Sequence, residues 1–389
     1  MINSEARKVC FLTGTRAEYG LLSGLIKKIE KYKSCTSQLI VTGTHLSKEY
    51  GNTIDTILKD KIKITRKIDI SLIKNTRLGV SKSFSIAVEK ISRNLNSMNP
   101  DLLVLLGDRY ETFAAAVSAT ILNIPIAHIH GGETTQGAFD ESFRHSITKM
   151  SHFHFCSTEA YKKRIIQLGE NPKNVFCVGS LGIDNILSNK YMNIKQLEKE
   201  FSLSFSKKNI FITFHPVTLE RDTSKQHFRN LLRSLNKIEE VSLFFSKANA
   251  DPGGKKINNE IERFVQKNQS KSTFKSSYGQ NLYFSLLKHM DLVIGNSSSG
   301  LIEVPHFKIP TINIGDRQLG RIMGKSVINC SPTEDSIDSA LEKAFSKSFL
   351  NYIKKFKNPY GKGGATEKIA KKISSLNLDN IFKKTFYDL

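Results

Sequence analysis

Five consecutive aliphatic residues, Leu102-Leu103-Val104-Leu105-Leu106, run directly into Gly107-Asp108-Arg109, and this junction restricts the fold more than any other stretch of the chain. A strand without polar alternation must be covered on both faces, the condition of a parallel sheet wrapped by helices. The glycine after it lets the backbone turn. The carboxylate and guanidinium that follow arrive at the strand's carboxyl end, where open α/β sheets gather their ligands. The arrangement recurs where Ile124-Pro125-Ile126-Ala127 leads into residues 128–149, which place histidines, carboxylates and Arg144 around Gly131, Gly132 and Gly137. Two neighbouring strand ends carrying acids and cations bring together what is needed to move protons while holding an anion.

Hydrophobic periodicity extends this pattern. It predicts strands over 8–13, 38–42, 101–106, 125–129, 153–156 and 174–178, separated by helices over 17–32, 80–98, 111–122, 141–150 and 159–168. After Gly179-Ser180-Leu181-Gly182 the alternation restarts, with strands over 209–214, 242–246, 292–294 and 311–314 and helices over 222–236, 255–267, 279–289 and 298–307. A chain of 389 residues suits two cores rather than one. The expectation is an α/β protein of two Rossmann-like domains with a central cleft. Residues 1–179 form the first domain and 180–364 the second, and 365–389 hold a helix that returns to pack across both. The Ser/Lys-rich stretches 202–208 and 270–277 read as loops.

A net charge of +22 raises the question of nucleic acid. However, 44 of the 58 basic residues are Lys, scattered over expected helix faces, and no RNA or DNA motif with interleaved aromatics is present. They read as solvated surface lysines, with a few left to attract an anionic small substrate. The cysteines at 10, 35, 156, 177 and 330 form no CxxC pair and lack metal-ligand spacing, so they read as free thiols in a reducing cytosol. No stretch approaches the roughly 20 apolar residues needed to span a bilayer. The apolar run at 9–12 is far shorter than that of a signal peptide. Neither a nucleic-acid nor a membrane partner is expected, and the location expected is cytoplasmic.

Candidate chemistry sits at the strand ends. Gly14-Thr15-Arg16 opens a helix without the GxGxxG spacing of a dinucleotide site, so NAD is not expected. A phosphate beside Arg16 competes with a plain strand–helix turn. Gly295-Asn296-Ser297-Ser298-Ser299-Gly300 offers three hydroxyls and backbone N–H groups at a helix start, where an anion cradle competes with capping by a single serine. Glu303 in the same helix suits ribose hydroxyls, and His215 ends a strand where an imidazole can meet a phosphate or sugar. His128 and His130 form an H-x-H pair, but without a third ligand they read as packed histidines, and no metal is expected. Among the acids, Asp108 pairs with Arg109 in the simplest reading and Asp140 caps the following helix. A catalytic reading instead has Asp108, Glu133 and Asp140 abstract a proton from carbon, which needs a carboxylate whose pKa burial can raise.

Taken in order, Gly14-Thr15-Arg16-Ala17-Glu18-Tyr19-Gly20, Leu106-Gly107-Asp108-Arg109-Tyr110-Glu111, His130-Gly131-Gly132-Glu133, Arg144-His145-Ser146-Ile147-Thr148-Lys149, Gly295 to Gly300, and Ile314-Gly315-Asp316-Arg317-Gln318 resemble the hydrolysing UDP-N-acetylglucosamine 2-epimerases, in their bacterial sialic-acid branch. The resemblance spans about residues 8 to 370. It implies a glycosyltransferase-B type fold and conversion of UDP-GlcNAc and water into UDP and N-acetylmannosamine for sialic acid, without a cofactor. The route is loss of the C2 proton with departure of UDP, then hydration of a 2-acetamidoglucal. By position Asp108, Glu133 and Asp140 match the family's essential acids. Contacts to UDP or substrate carry over to Arg16, His45, Arg109, His215, Asn249, Lys255, Ser297, Ser298, Glu303 and Arg317. The resemblance also implies a homodimer or homotetramer. The alternative within the family is a hydrolysing epimerase of a UDP- or GDP-linked 2,4-diacetamido-trideoxyhexose. Less favoured are a non-hydrolysing epimerase and a glycosyltransferase of the same architecture. The chain departs from the animal enzymes at Gly20, where they carry serine.

Overall fold

The computed structural model describes residues 6–48, 51–72, 76–135, 140–216, 223–248, 253–276 and 278–389. They divide into two compact units, one of residues 1–133, 139–185 and 360–389, the other of residues 134–138 and 186–359.

The first unit is built on a seven-stranded sheet of β1 (Arg7–Thr13), β2 (Cys35–Thr42), β3 (Arg66–Ile68), β4 (Leu102–Leu106), β5 (Ile126–Ile129), β6 (Phe153–Cys156) and β7 (Val175–Cys177). Their order is β3-β2-β1-β4-β5-β6-β7, and every pairing is parallel. The continuous apolar runs have the predicted cause, because alternate residues of one strand feed two separate cores. Val9, Phe11, Val104 and Leu106 pack with Leu22, Leu25 and Ile26 of helix Arg16–Ile29 and with Ile369 and Ile373 of helix Ala365–Ser374. Cys10, Leu12, Leu103 and Leu105 pack with Ile91 and Leu95 of helix Arg77–Met98 and with Ala115 and Ala119 of helix Tyr110–Ile121. Each fully buried aliphatic side chain contributes roughly 1.5–3 kcal/mol relative to exposure. Strand order reverses between β1 and β4, so the residues after these strands stand at the switch point that suits ligand binding.

The second unit repeats the plan with β8 (Lys208–Thr213), β9 (Val241–Ser246), β10 (Ser272–Lys275), β11 (Leu292–Gly295), β12 (Thr311–Ile314) and β13 (Val327–Cys330). The order is β10-β9-β8-β11-β12-β13, all parallel. Here the switch point lies between β8 and β11. Gly295 closes β11 at a φ of +143°, where an added Cβ would meet the Thr213 carbonyl oxygen at 1.8 Å. Only glycine permits that approach of the two strand ends.

Several elements depart from the sequence expectation. Ser272–Lys275, inside a stretch read as a loop, is an edge strand paired to β9, and β3 and β13 are likewise short edge strands with charged or polar residues. Edges need no apolar run, since one side and often one face meet water. The helix expected over 298–307 is a single α-turn, Ser299–Ile302, followed by the 3₁₀ turn Val304–Phe307. Pro305 lacks the N–H that would continue the α-helix. The first unit extends to 185 rather than the expected 179, and the chain rejoins it at 360 rather than forming a separate piece from 365. The reason is local: Asp184 accepts hydrogen bonds from the amides of Gly364, Ala365 and Thr366 at 2.6, 3.3 and 2.5 Å, and the Ser180 amide donates to the Tyr360 carbonyl at 2.9 Å. No described helix is long and apolar enough to cross a membrane.

Candidate functional site

At the carboxyl edge of the first sheet, charged side chains are buried in contact with one another. Gly107, at a φ of +82°, turns the chain out of β4, and Asp108 there forms an ion pair with Arg144 rather than with its neighbour Arg109. Arg144 projects from helix Asp140–Met150, is buried, and donates from a second nitrogen to the His130 carbonyl at 3.1 Å. Burial opposes its charge, but Asp108, Glu133, Glu141 and Asp140 outweigh that cost and hold its pKa above the ordinary arginine value.

Arg109 grips both oxygens of Glu111, at 3.2 and 3.3 Å, and lies 4.0 Å from Glu18. The charge of Glu111, against the cost of burial, holds Arg109 firmly protonated. Glu18 closes a capping box with Thr15 and accepts from the Gly14 and Thr15 amides at 2.7 and 3.1 Å. Burial, reinforced by Glu111 and opposed by Arg109, pushes its carboxyl up to about 7. Arg16 stands at the start of the same helix, half-buried, and desolvation lowers its pKa.

Asp140 is the first residue of its helix. Burial first, then the nearby Asp108 charge, push its carboxyl up to about 6, while Arg109 and Arg144 restrain the rise. Glu133 is buried and accepts from Ser157 at 2.9 Å, and the His130 ring lies 3.2 Å away. The three expected acids therefore fall into linked networks at one sheet edge, joined through Arg144 and Arg109. One cation shared among several carboxylates keeps some ionised while disfavouring full ionisation, the condition that separates acid from base roles.

The histidines divide differently. His45 is fully buried, with one ring nitrogen 3.0 Å from the Thr13 hydroxyl and the other 2.8 Å from that of Thr53. Burial lowers it to about 4. Its nitrogens are occupied by the scaffold, which sets it beneath the strand ends. His128 is held the same way, by Thr148 at 3.1 Å and the Gly107 carbonyl at 2.8 Å. His130 lies beyond the end of β5, so the H-x-H pair does not share a strand face. Among the described residues, no three His, Cys, Asp or Glu side chains gather as a metal site.

The second sheet's edge is organised around Asn296. Its side chain accepts from the His215 amide at 2.7 Å and donates to the His215 carbonyl at 2.8 Å, tying β8's exit to β11's. Its own carbonyl accepts from Arg317 at 3.0 Å and Gln318 at 2.9 Å, which fixes the loop after β12. Burial, reinforced by the Arg317 charge, lowers His215 to about 3, so its ring is neutral. Ser297 accepts from the Ser299 amide at 3.4 Å, Ser299 contacts the Tyr283 hydroxyl at 2.6 Å, and Ser298 makes no side-chain cap bond. With the helix reduced to one turn, little macrodipole acts here, and any anion is held by local donors instead. Glu303 follows that turn and raises the pKa of Tyr283 after burial has done so. Lys255 is exposed in the first turn of helix Gly254–Lys267 and joins none of these networks. Asn249 lies outside the described residues.

Sequence reasoning named Arg144 only as a cation near the strand ends and gave no individual role to Glu111, Ser157 or Gln318. Glu111 carried a usable signal, a charged residue just past the Gly-Asp-Arg turn. Ser157 and Gln318 carried none, because their partners come from distant segments.

Comparisons with known proteins bear on the family and the fold. Residues 27–374 match the family model described as UDP-N-acetylglucosamine 2-epimerase. The chain is 43% identical over 98% of its length, and 99% of the relative's, to the GDP/UDP-N,N'-diacetylbacillosamine 2-epimerase (hydrolyzing) of Campylobacter jejuni. It is 37% identical over 98% of both chains to the Polysialic acid biosynthesis protein P7 of Escherichia coli. Its fold matches the crystal structure of the UDP-GlcNAc 2-epimerase from Neisseria meningitidis bound to UDP-GlcNAc, with a TM-score of 0.80, 20% identity, and coverage of 94% of this chain and 99% of that one. The fold is therefore the expected α/β architecture of two Rossmann-like units.

Proposed function

The chain belongs to the UDP-N-acetylglucosamine 2-epimerase family, and from that premise we propose that it is a hydrolysing 2-epimerase acting on a UDP- or GDP-linked N,N'-diacetylbacillosamine. The observation that carries the reaction type is the carboxylate cluster of Asp108, Asp140 and Glu133 around Arg144, with Asp140 raised to about 6 by burial and the Asp108 charge. The sugar follows the Campylobacter relative, which is named for the diacetylbacillosamine reaction. This replaces the expectation of UDP-GlcNAc as main substrate with its alternative.

In this reading one of the three acids takes the proton from C2. The C2–H electron pair forms the C1=C2 double bond as the C1–O bond breaks, and the nucleoside diphosphate leaves with the C1–O bonding pair. Water then adds across the double bond, its oxygen to C1 and a proton to C2 from the opposite face, giving the free epimeric sugar. Arg16, Arg109, His215, Ser297, Ser298, Glu303 and Arg317 are assigned to the nucleotide, whose departing diphosphate needs cations and hydrogen-bond donors. Asn249 and Lys255 stay in that assignment on sequence position alone. No redox or metal step enters this scheme.

The second reading, hydrolysis of UDP-GlcNAc to N-acetylmannosamine in a sialic-acid route, is favoured by the polysialic acid relative. Turnover of both nucleotide sugars in heavy water, followed by NMR, tests the proposal. The expected result is faster turnover of the diacetylbacillosamine substrate, with one deuterium at C2 of a free sugar. Turnover of UDP-GlcNAc alone rejects the sugar assignment, and recovery of a nucleotide-linked epimer rejects hydrolysis.

A further inference from the structure

His130 is a non-glycine residue at a φ of +65°. Left-handed backbone is uncommon for such a residue and persists only where the surroundings impose it. Those surroundings are specific. The His130 amide donates to the Phe155 carbonyl at 2.9 Å, and its carbonyl accepts from Arg144 at 3.1 Å. At Gly131 a Cβ would lie 2.9 Å from both His128 Nδ1 and Thr148 Oγ1, and at Gly132 it would lie 2.6 Å from the Tyr161 carbonyl. The turn is clamped on every side, and it delivers one side chain, Glu133.

Two groups meet the same oxygen of that side chain: Ser157 Oγ donates to Oε1 at 2.9 Å, and His130 Nδ1 lies 3.2 Å from it. Nδ1 can donate to that oxygen only in the tautomer that places the ring proton there. His130 Nε2 is buried and has no hydrogen-bond partner, which fits a ring held in a single tautomer by its other nitrogen. Ser157 is not needed as a helix cap, since the adjacent Thr158 side chain accepts from the Tyr161 amide in that role. The terminal torsion of a glutamate is intrinsically broad, and the Ser157 hydrogen bond together with the His130 ring against the same oxygen restricts that freedom.

We propose that His130 and Ser157 are positioning residues that jointly fix the carboxylate plane of Glu133 for the reaction. The proposal rests on the hydrolysing-epimerase reading for its kinetic consequence only. The charged and titratable groups near Glu133 include His130 on its own turn, Arg164, which donates to the Gly132 carbonyl at 2.5 Å, and Arg144 on helix Asp140–Met150, with Asp108, Asp140 and Glu141 coupled through Arg144.

The test uses three variants of the full-length protein. In His130→Asn the amide nitrogen stands where Nδ1 stood, and asparagine tolerates positive φ. His130→Gln puts its donor one bond further out, and Ser157→Ala removes the second donor. S157A and H130Q should each lower kcat about 10-fold, with KM unchanged within about 2-fold, whereas H130N keeps most of the activity. In S157A, carbon-13 NMR of the Glu133 carboxyl should show its titration moved up by about one pH unit, because a donor to the charged form has been lost. Equal kcat in native protein, S157A and H130Q overturns the proposal, as does a Glu133 titration unmoved in S157A. A fall in which H130N is as impaired as H130Q points to a purely structural histidine and also overturns it. Native protein that turns over neither nucleotide sugar rejects the functional reading, while the titration, which needs no substrate, still decides the positioning role.

Discussion

At the carboxyl edge of the first sheet, Asp108, Glu133, Asp140, Glu18 and Glu111 are held within the reach of two arginines, and burial drives Asp140 to about 6 and Glu18 to about 7. At the same edge of the second sheet, the network runs through amides, neutral side chains and one guanidinium, with no carboxylate among the named members: Asn296 joins His215, Arg317 and Gln318, and burial, then the Arg317 charge, lower His215 to about 3. The two sheets share topology, strand direction and the place of their switch points. They differ in what the loops after the strands carry, and that difference separates groups able to exchange protons from a fixed array of donors. One architecture thus supports two chemistries by loop content alone.

The sharpest way to break this division is to neutralise the acids. Asp108→Asn, Glu133→Gln and Asp140→Asn should each reduce kcat by roughly 10²–10⁴-fold, while UDP affinity measured by calorimetry changes little. Near-native turnover in all three would dissolve the contrast between the two edges.

The complementary change is Arg317→Ala combined with Ser298→Ala. It should weaken UDP binding by roughly 10–100-fold, with kcat at saturating substrate reduced far less than by the acid variants. A large loss of kcat at unchanged UDP affinity would move proton work to the second unit.

Asp140 also links function to stability. Its folded-state pKa of about 6 lies above the ordinary aspartate value of 3.8. The native state therefore binds this proton more tightly, and the associated stability is present below about pH 4 and lost as pH rises through about 6. D140N removes that loss, so unfolding at pH 7.5 should show a gain on the order of 1–2 kcal/mol, despite the fall in activity. A D140N protein no more stable than native at pH 7.5 would show that Asp140 is not desolvated as described.

An effect of similar size, confined to stability, concerns the first unit's scaffold. Asp184→Ala strips the three amides at the start of helix Ala365–Ser374 of their acceptor. It should cost about 1–2 kcal/mol in denaturant unfolding, with UDP binding unchanged. A matching loss of UDP affinity would show that the second unit depends on this cap.

Much of this was legible in the residues. The continuous runs at 9–12 and 102–106 announced parallel strands buried on both faces, since no amphipathic alternation is compatible with them. The glycines at 107, 131 and 132 marked the turns that carry the acids. Less legible were β3, β10 and β13, whose polar residues satisfy an edge position without any apolar signature. The helix expected over 298–307 failed at Pro305, a breaker visible in the sequence but outweighed there by the surrounding apolar residues. The simplest pairing for Asp108 does not form. Its neighbour Arg109 turns to Glu111, and a guanidinium 36 residues downstream takes its place.

By itself the sequence determined the class of fold, the glycine turns at the strand ends and the family, because local periodicity and turn chemistry are short-range properties. Only the tertiary structure decided which carboxylate faces which cation, which histidines are consumed by the scaffold, and that Ser157 meets Glu133 across 24 residues of chain. Those pairings set protonation. They depend on distance and burial, which arise only when the strands are brought side by side.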